Sequence, residues 1–230
     1  MAEKFLSIIV PIYNEDAVAA SSLPPIFNLP INKEVIVIND GSTDRTEEIL
    51  QSLQKQYSFK LINEITNQGK GAAVRKGFNE AKGDYVVIYD ADAEYRPEDI
   101  SRLFESASRQ EEMTAIYGSR FLNNRCFSFH YLVNQFLTKM TNWLFKSRLT
   151  DMETCLKMIP KSALTRIKLQ GRRFEIEPEI TAQLLKNGYQ ILEIPISYER
   201  RGYNEGKKIK PRDGLLAIKT LVAEKLFRKG

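Results

Sequence analysis

Two rhythms of apolar and polar positions alternate along the first half of the chain. Short runs rich in Val and Ile, at Phe5–Ile12, Glu34–Asn39 (EVIVIN), Phe59–Ile65 and Asp84–Tyr89 (DYVVIY), read as strands. Between them lie stretches whose apolar positions recur at helical spacing. Thr43–Gln56 carries Ile49 and Leu53, with Asp44, Glu47 and Glu48 near its start, where carboxylates suit the helix dipole. Lys70–Lys82 carries Ala72, Ala73, Val74, Phe78 and Ala81 and stops at Gly83. Near-continuous apolar strands separated by helices predict an α/β fold with a mostly parallel sheet covered on both faces. In such a sheet, ligands bind beyond the carboxyl ends of the strands.

The second half continues with a helix at Glu98–Arg109 and a strand at Thr114–Tyr117 that ends in Gly118-Ser119-Arg120. A strand at Leu156–Ile159, a helix at Glu179–Asn187 and a strand at Gln190–Ile196 follow. Two longer stretches are amphipathic. Phe127–Leu149 carries Leu132, Phe136, Met140 and Trp143, and Arg212–Arg228 sets Leu215, Leu221, Val222 and Leu226 among Lys219 and Lys225. Such a helix either packs on the core or lies on an anionic lipid surface. No repeat, low-complexity tract or linker interrupts the pattern, so a single domain over 1–230 is expected, with the C-terminal helices folded back on it.

Composition narrows the class. With 230 residues, 43% of them hydrophobic and 27% charged, the chain can bury a core without disulfide or metal. Its two cysteines, Cys126 and Cys155, form no paired arrangement, which suits a reducing compartment. A net charge of +5, spread along the chain, is too weak to argue for nucleic acid. The N-terminal apolar run is strand-length and ends at Pro11, unlike a signal peptide, and no apolar stretch reaches the ~18 residues of a membrane span. A cytoplasmic protein is expected, with any membrane contact peripheral.

The chemistry-bearing residues cluster at predicted strand ends. Asp90-Ala91-Asp92, with Glu94 two residues on, follows the fourth strand. Alternation along an extended segment would point the three carboxylates to one side, where a hard divalent cation and phosphate oxygens offset their repulsion. A solvated acidic turn is the ordinary alternative. Asn39-Asp40-Gly41-Ser42-Thr43-Asp44 follows the second strand; Ser42 or Thr43 suits a helix cap, and Asp40 suits a nucleobase imide or a ribose hydroxyl. Pro11-Ile12-Tyr13-Asn14-Glu15 ends the first strand with groups able to stack on and edge-bond a base. Asn67-Gln68-Gly69-Lys70-Gly71-Ala72 opens a helix, whose N–H groups and Lys70 suit an anion, although the spacing is not that of a P-loop. Turn, strand end and helix cap are the structural uses these motifs also have.

Taken together, V-P-x-Y-N-E, N-D-G-S-T-D, N-x-G-K-G-A-A, G-D-Y-V and D-A-D-x-x-x-x-P-E occur in order on successive strand ends. This pattern resembles the family 2 glycosyltransferases of GT-A fold, a Rossmann-like sheet, and it covers Phe5 to Arg120. Thr150-Asp151-Met152-Glu153-Thr154-Cys155-Leu156-Lys157, Arg173-Phe174-Glu175-Ile176-Glu177-Pro178-Glu179 and Pro195-Ile196-Ser197-Tyr198 are similar to the dolichyl- and polyprenyl-phosphate hexose synthases. So are Arg201 and the segment Glu205–Ile209.

The resemblance implies a nucleotide-sugar-binding half (1–120) and an acceptor-binding half (121–230). Pro11, Tyr13, Glu15, Asp40, Lys70, Asp90, Ala91 and Asp92 would hold the donor. Asp92 and Glu94 would ligate Mg²⁺ or Mn²⁺, with Glu94 standing where mannosyl members often carry Gln. Arg120, Arg201 and Lys207 would meet donor or acceptor phosphate, and Asp151 the sugar hydroxyls. The implied reaction is inverting transfer of a hexose from a GDP- or UDP-sugar to an isoprenoid phosphate on the cytoplasmic face of a membrane. A phosphate acceptor is already anionic and needs little or no general base; with a neutral alcohol, Asp151 or Glu153 becomes the candidate. Rival readings are a family 2 enzyme acting on a hydroxyl acceptor, a nucleotidyltransferase, and a binding module without activity.

Overall fold

A computed structural model describes residues 4–110, 113–123, 129–199 and 211–227. The strands are β1 (Leu6–Ile12), β2 (Lys33–Asn39), β3 (Lys60–Asn63), β4 (Tyr85–Ile88), β5 (Thr114–Ser119), β6 (Lys157–Pro160) and β7 (Gln190–Pro195). Among them run α1 (Asp16–Ser22), α2 (Pro24–Phe27), α3 (Thr46–Gln54), α4 (Lys70–Glu80) and α5 (Glu98–Ser108). The second half adds α6 (Phe129–Phe145), α7 (Lys161–Leu164), α8 (Ile176–Lys186) and α9 (Pro211–Leu226).

All seven strands join one sheet in the order β3-β2-β1-β4-β6-β5-β7. β1 pairs in parallel with β2 and β4, β2 with β3, and β5 with β7. β6 runs antiparallel to both β4 and β5. The mostly parallel sheet is as expected, while the reversal of β6 is not written in its short apolar run. Its consequence is positional: Lys157 lies opposite Tyr117, so the loop entering β6 starts at the carboxyl ends of β4 and β5.

The core follows from the continuous apolar runs. Leu6, Ile8, Ile9 and Val10 of β1, Val35 to Ile38 of β2 and Val86 to Ile88 of β4 are buried. Each such side chain contributes about 1.5–3 kcal/mol by leaving water. A second cluster joins Leu137 of α6, Ala182 of α8, and Ala217 and Leu221 of α9, with Leu149 and Met152. The two amphipathic helices thus pack on each other and on α8 through one face. Leu132, Phe136 and Trp143 on α6, and Leu215, Val222 and Leu226 on α9, remain exposed on another.

Two helix starts differ from expectation. α3 begins at Thr46 rather than Thr43, because Ser42, Thr43 and Asp44 are spent on the neighbouring loop. Ser42 Oγ accepts the Asn14 N–H (3.0 Å), the Thr43 N–H donates to Asn14 Oδ1 (2.8 Å), and Asp44 accepts from Asp16 and Thr46. Asp44 thus ties the first residue of α3 to the start of α1, and among the described residues no side chain caps α3. α8 begins at Ile176, ahead of Glu179, since proline is accommodated in a first helical turn and Pro178 does not delay it.

Candidate active site

The sheet gathers the residues singled out above along one edge. Pro11 lies within β1, with Tyr13 and Glu15 just beyond it; Asp40 follows β2, Asp90 to Glu94 follow β4, Arg120 follows β5, and Asp151 precedes β6. Arg201 and Lys207 lie outside the described residues.

Asp40 is buried, and its carboxylate is occupied. The Gln68 N–H donates to Oδ1 (2.9 Å) and the Gly69 N–H to Oδ2 (2.8 Å), pinning the loop before α4 to the end of β2. Burial pushes the carboxyl up, and those two N–H groups pull against that shift. The start of α4 is likewise taken. Ala72 N–H reaches Arg172 O (3.2 Å), and Arg75 Nη1 donates to Gly171 O (2.6 Å). Gly69 stands at φ 96°, and a Cβ there would lie 2.3 Å from Arg172 O; a Cβ on Gly71 would lie 2.5 Å from Gly171 O. The glycines admit the 171–172 backbone against this terminus, and that backbone takes up the Ala72 N–H.

The D-A-D segment is a turn, not an extended strand. Ala93 adopts φ 61°, and Asp92 Oδ1 accepts the Glu94 N–H (3.0 Å). Ala91 is buried, and its carbonyl accepts the Ser22 hydroxyl (3.1 Å). The carboxylates still gather: burial first, then the charges of Asp90 and Glu94, push Asp92 up to about 7. Glu94 Oε2 accepts the Tyr198 hydroxyl (2.6 Å). Among the described residues, no three His, Cys, Asp or Glu side chains form a metal cage. Mg²⁺ is commonly held by one or two carboxylates together with substrate phosphates, and the oxygen donors at Asp92, carrying uncompensated charge, fit that mode.

Lys70 turns away from its own helix start. Its Nζ lies 2.8 Å from Asp90 Oδ2 and 2.9 Å from Glu177 Oε1. Glu177 Oε2 lies 2.5 Å from Lys157 Nζ, which is fully buried. Burial opposes the Lys70 charge, but Asp90 and Glu177 outweigh it and hold the ammonium well above its ordinary value. The sequence reading gave Glu177 and Lys157 no role. The signal was there: a lysine opening the otherwise apolar strand KMIP, and a glutamate in the first turn of a helix with Ile176 and Ile180 on its buried side.

Arg120 is fixed from several sides. Nε donates to Asp151 Oδ2 (2.7 Å), Nη2 to Oδ1 (2.8 Å) and the backbone N–H to Oδ2 (3.0 Å). Its guanidinium also lies 5.2 Å from the centre of the Phe121 ring and 5.1 Å from that of Tyr198. Glu193, which went unnoticed in β7, accepts the N–H groups of Thr150 (2.7 Å) and Asp151 (2.9 Å) and so fixes the turn that carries Asp151. With both oxygens on Arg120 and a side chain 0% exposed, Asp151 holds that guanidinium in place. Glu153 differs: Oε1 is buried without a hydrogen-bond partner among the described residues, and burial pushes the carboxyl up to about 7.

Comparison with solved structures places the sheet and its edge in the GT-A fold of glycosyltransferases. Glucosyl-3-phosphoglycerate synthase from Mycobacterium tuberculosis in complex with UDP superposes with a TM-score of 0.76 at 16% identity, covering 99% of this chain and 82% of that one. The same enzyme with Mn²⁺, UDP and phosphoglyceric acid gives 0.74 at 14% identity, covering 99% and 80%. The family model for glycosyl transferase family 2 matches residues 7–169, and the chain belongs to that family. Dolichol-phosphate mannosyltransferase of Pyrococcus furiosus is 28% identical over 211 residues, 88% of this chain and 58% of that protein. Undecaprenyl-phosphate 4-deoxy-4-formamido-L-arabinose transferase of Aeromonas hydrophila is 27% identical over 216 residues, 89% and 63%. The chain spans about three fifths of the length of these curated relatives. The resemblance to the family 2 glycosyltransferases read from its motifs is borne out.

Proposed function

We propose that this chain catalyses inverting, metal-dependent transfer of a hexose from a nucleotide-sugar, of GDP-mannose or UDP-glucose type, to a polyprenyl or dolichyl phosphate. The observation that carries the reading is the juxtaposition of an uncompensated acidic turn, centred on Asp92, with a rigidly held cation, Arg120, on one sheet edge. The named activities of the two relatives above supply the acceptor class.

In this reading Pro11, Tyr13 and Glu15 hold the base and ribose, Asp40 meets them through the lone pairs left over from pinning the Gln68–Gly69 loop, and Asp90, Ala91 and Lys70 border the ribose and sugar. Asp92, with Glu94, would hold Mg²⁺ or Mn²⁺, which when bound stabilises the departing diphosphate as a Lewis acid. A lipid-phosphate oxygen forms the new bond to the anomeric carbon while the bond to the donor's terminal phosphate breaks. The electron pair leaves with the nucleoside diphosphate. Arg120, fixed by Asp151, would direct its remaining guanidinium N–H donors at this exchange, and Arg201 and Lys207 would contribute positive charge toward donor or acceptor phosphate. Asp151 keeps Arg120 charged and aimed.

The lipid requires an approach surface, and the unpacked faces of α6 and α9 suit one. Leu132, Phe136, Lys139 and Trp143 recur at i, i+4, i+7 and i+11, as do Leu215, Lys219, Val222 and Leu226, all of them exposed. Apolar rows carrying lysines fit peripheral attachment to an anionic, cytoplasmic leaflet. Among the described residues no helix is long and apolar enough to cross a membrane. A second reading, transfer to a hydroxyl acceptor, is favoured by one observation: the unpartnered Glu153 carboxyl is poised to take a proton.

A panel of nucleotide-sugars, incubated with a short polyprenyl phosphate or with soluble glycans, with and without chelator and scored by mass spectrometry, tests the proposal. Glycosylated polyprenyl phosphate formed only without chelator is expected. Product on hydroxyl acceptors alone would overturn the acceptor assignment in favour of the second reading.

A further inference from the structure

Four charged groups of alternating sign run inward from the D-A-D turn: Asp90, Lys70, Glu177 and Lys157. Successive separations are 2.8, 2.9 and 2.5 Å. Side-chain exposure falls along the line, from 24% at Asp90 through 12% and 5% to 0% at Lys157. At the inner end, Lys157 Nζ also reaches the Glu177 carbonyl (3.3 Å) and lies 5.3 Å from the centre of the Tyr117 ring. The fold itself has no need of the inner two charges. The rest of β6 is apolar and buried, as are Ile176 and Ile180 beside Glu177. Each ion taken out of water costs several kcal/mol, and an apolar pair of similar volume in such a place is often neutral or stabilising.

We infer that Glu177 and Lys157 are positioning residues for the donor site, acting on Asp90 through Lys70. The inference rests on the proposed role of Asp90 in holding the nucleotide-sugar. A lysine ammonium is a point charge on a flexible four-carbon stem, and with Asp90 as its one acceptor it would be free to turn toward Asp92 or the donor diphosphate. Glu177 gives it a second anionic partner on α8, and Lys157 fixes Glu177 from β6. Lys70 is thereby spanned between two elements, and it orients Asp90 without occupying the place of a divalent ion beside Asp92. Outer groups of this kind tune the groups they hold.

Calorimetric titration with UDP–Mg²⁺ and GDP–Mg²⁺, alongside thermal unfolding, tests this. Glu177→Gln keeps the shape and removes the charge; it is expected to weaken nucleotide binding by about tenfold or more. The double replacement Glu177→Met with Lys157→Met is expected to unfold at or above the wild-type midpoint while keeping the binding defect, a separation that a purely structural role does not produce. In a Lys70→Met background, Glu177→Gln should add no further loss, because its effect passes through Lys70. Wild-type nucleotide affinity in the double variant, or independent addition of the Lys70 and Glu177 effects, would overturn the inference. Should the double variant not fold, the Lys70–Glu177 cycle decides alone. Wild-type protein that binds neither nucleotide would sink the donor reading itself, a different result from a silent Glu177→Gln.

Discussion

At the turn after β4, burial and the charges of Asp90 and Glu94 push the Asp92 carboxyl up to about 7. At the turn before β6, Asp151 is fully buried, yet both of its oxygens rest on the Arg120 guanidinium. Both turns face the same sheet edge. The second is electrostatically complete within the fold; the first carries a charge problem that the fold leaves standing. Removing a completed pair should damage stability, whereas removing an uncompensated carboxylate should damage activity and spare the fold.

The largest effect is expected at the completed turn. Asp151→Ala strands a buried guanidinium and should cost about 3–5 kcal/mol in denaturant unfolding; a loss below 1 kcal/mol would break the comparison. Next, Asp92→Asn should lower transfer by roughly 10²–10³-fold, the scale seen when preorganised charge stabilisation is removed, with a thermal midpoint equal to or above wild type. Chelation should bring the wild-type rate to the level of this variant. Full turnover in Asp92→Asn, or a residual gap between the two proteins under chelator, would remove the metal assignment.

Glu153 sharpens the contrast, because it sits at the completed turn yet lacks a partner at Oε1. A carboxyl raised to about 7 from 4.5 contributes stability that is fully present below about 4.5 and lost as pH rises through about 7. Glu153→Gln should therefore be more stable than wild type by about 3 kcal/mol at pH 8, with the gap closing toward pH 4.5. A gap independent of pH would show that Glu153 does not titrate there. The smallest effect is expected outside both turns. Trp143→Ser should weaken association with anionic vesicles by a few-fold, and salt should weaken it further, since each basic residue near such a surface is worth about 1 kcal/mol. Association equal to wild type would take Trp143 off the membrane face.

The motifs come together on one sheet edge because each follows a strand, and the strands themselves are visible in the apolar patterning. The side-chain partners were less visible. Asp40, Asp90 and Asp151 were found as carboxylates on the right edge, but their partners (the Gln68 and Gly69 N–H groups, Lys70, Arg120) come from distant elements. Only the reversed β6 and the strap at 170–172 bring the remaining contributors together. Ser42 and Thr43 fit a helix cap equally well by local rule, and tertiary contact with Asn14 decided otherwise. Glu193 and Glu177 sat in segments whose neighbours are apolar. A charge there signals a partner without saying which one.

The backward course of β6 has a practical consequence. It wedges a strand from the later half between β4 and β5, so the two halves of the chain are stitched through the same ladder. Cutting the protein after Arg120 would leave the YVVI edge of β4 unpaired, a template for aggregation in place of a working module. Exchange of C-terminal portions between relatives should therefore succeed only when the grafted piece brings its own copy of this reversed strand, in register.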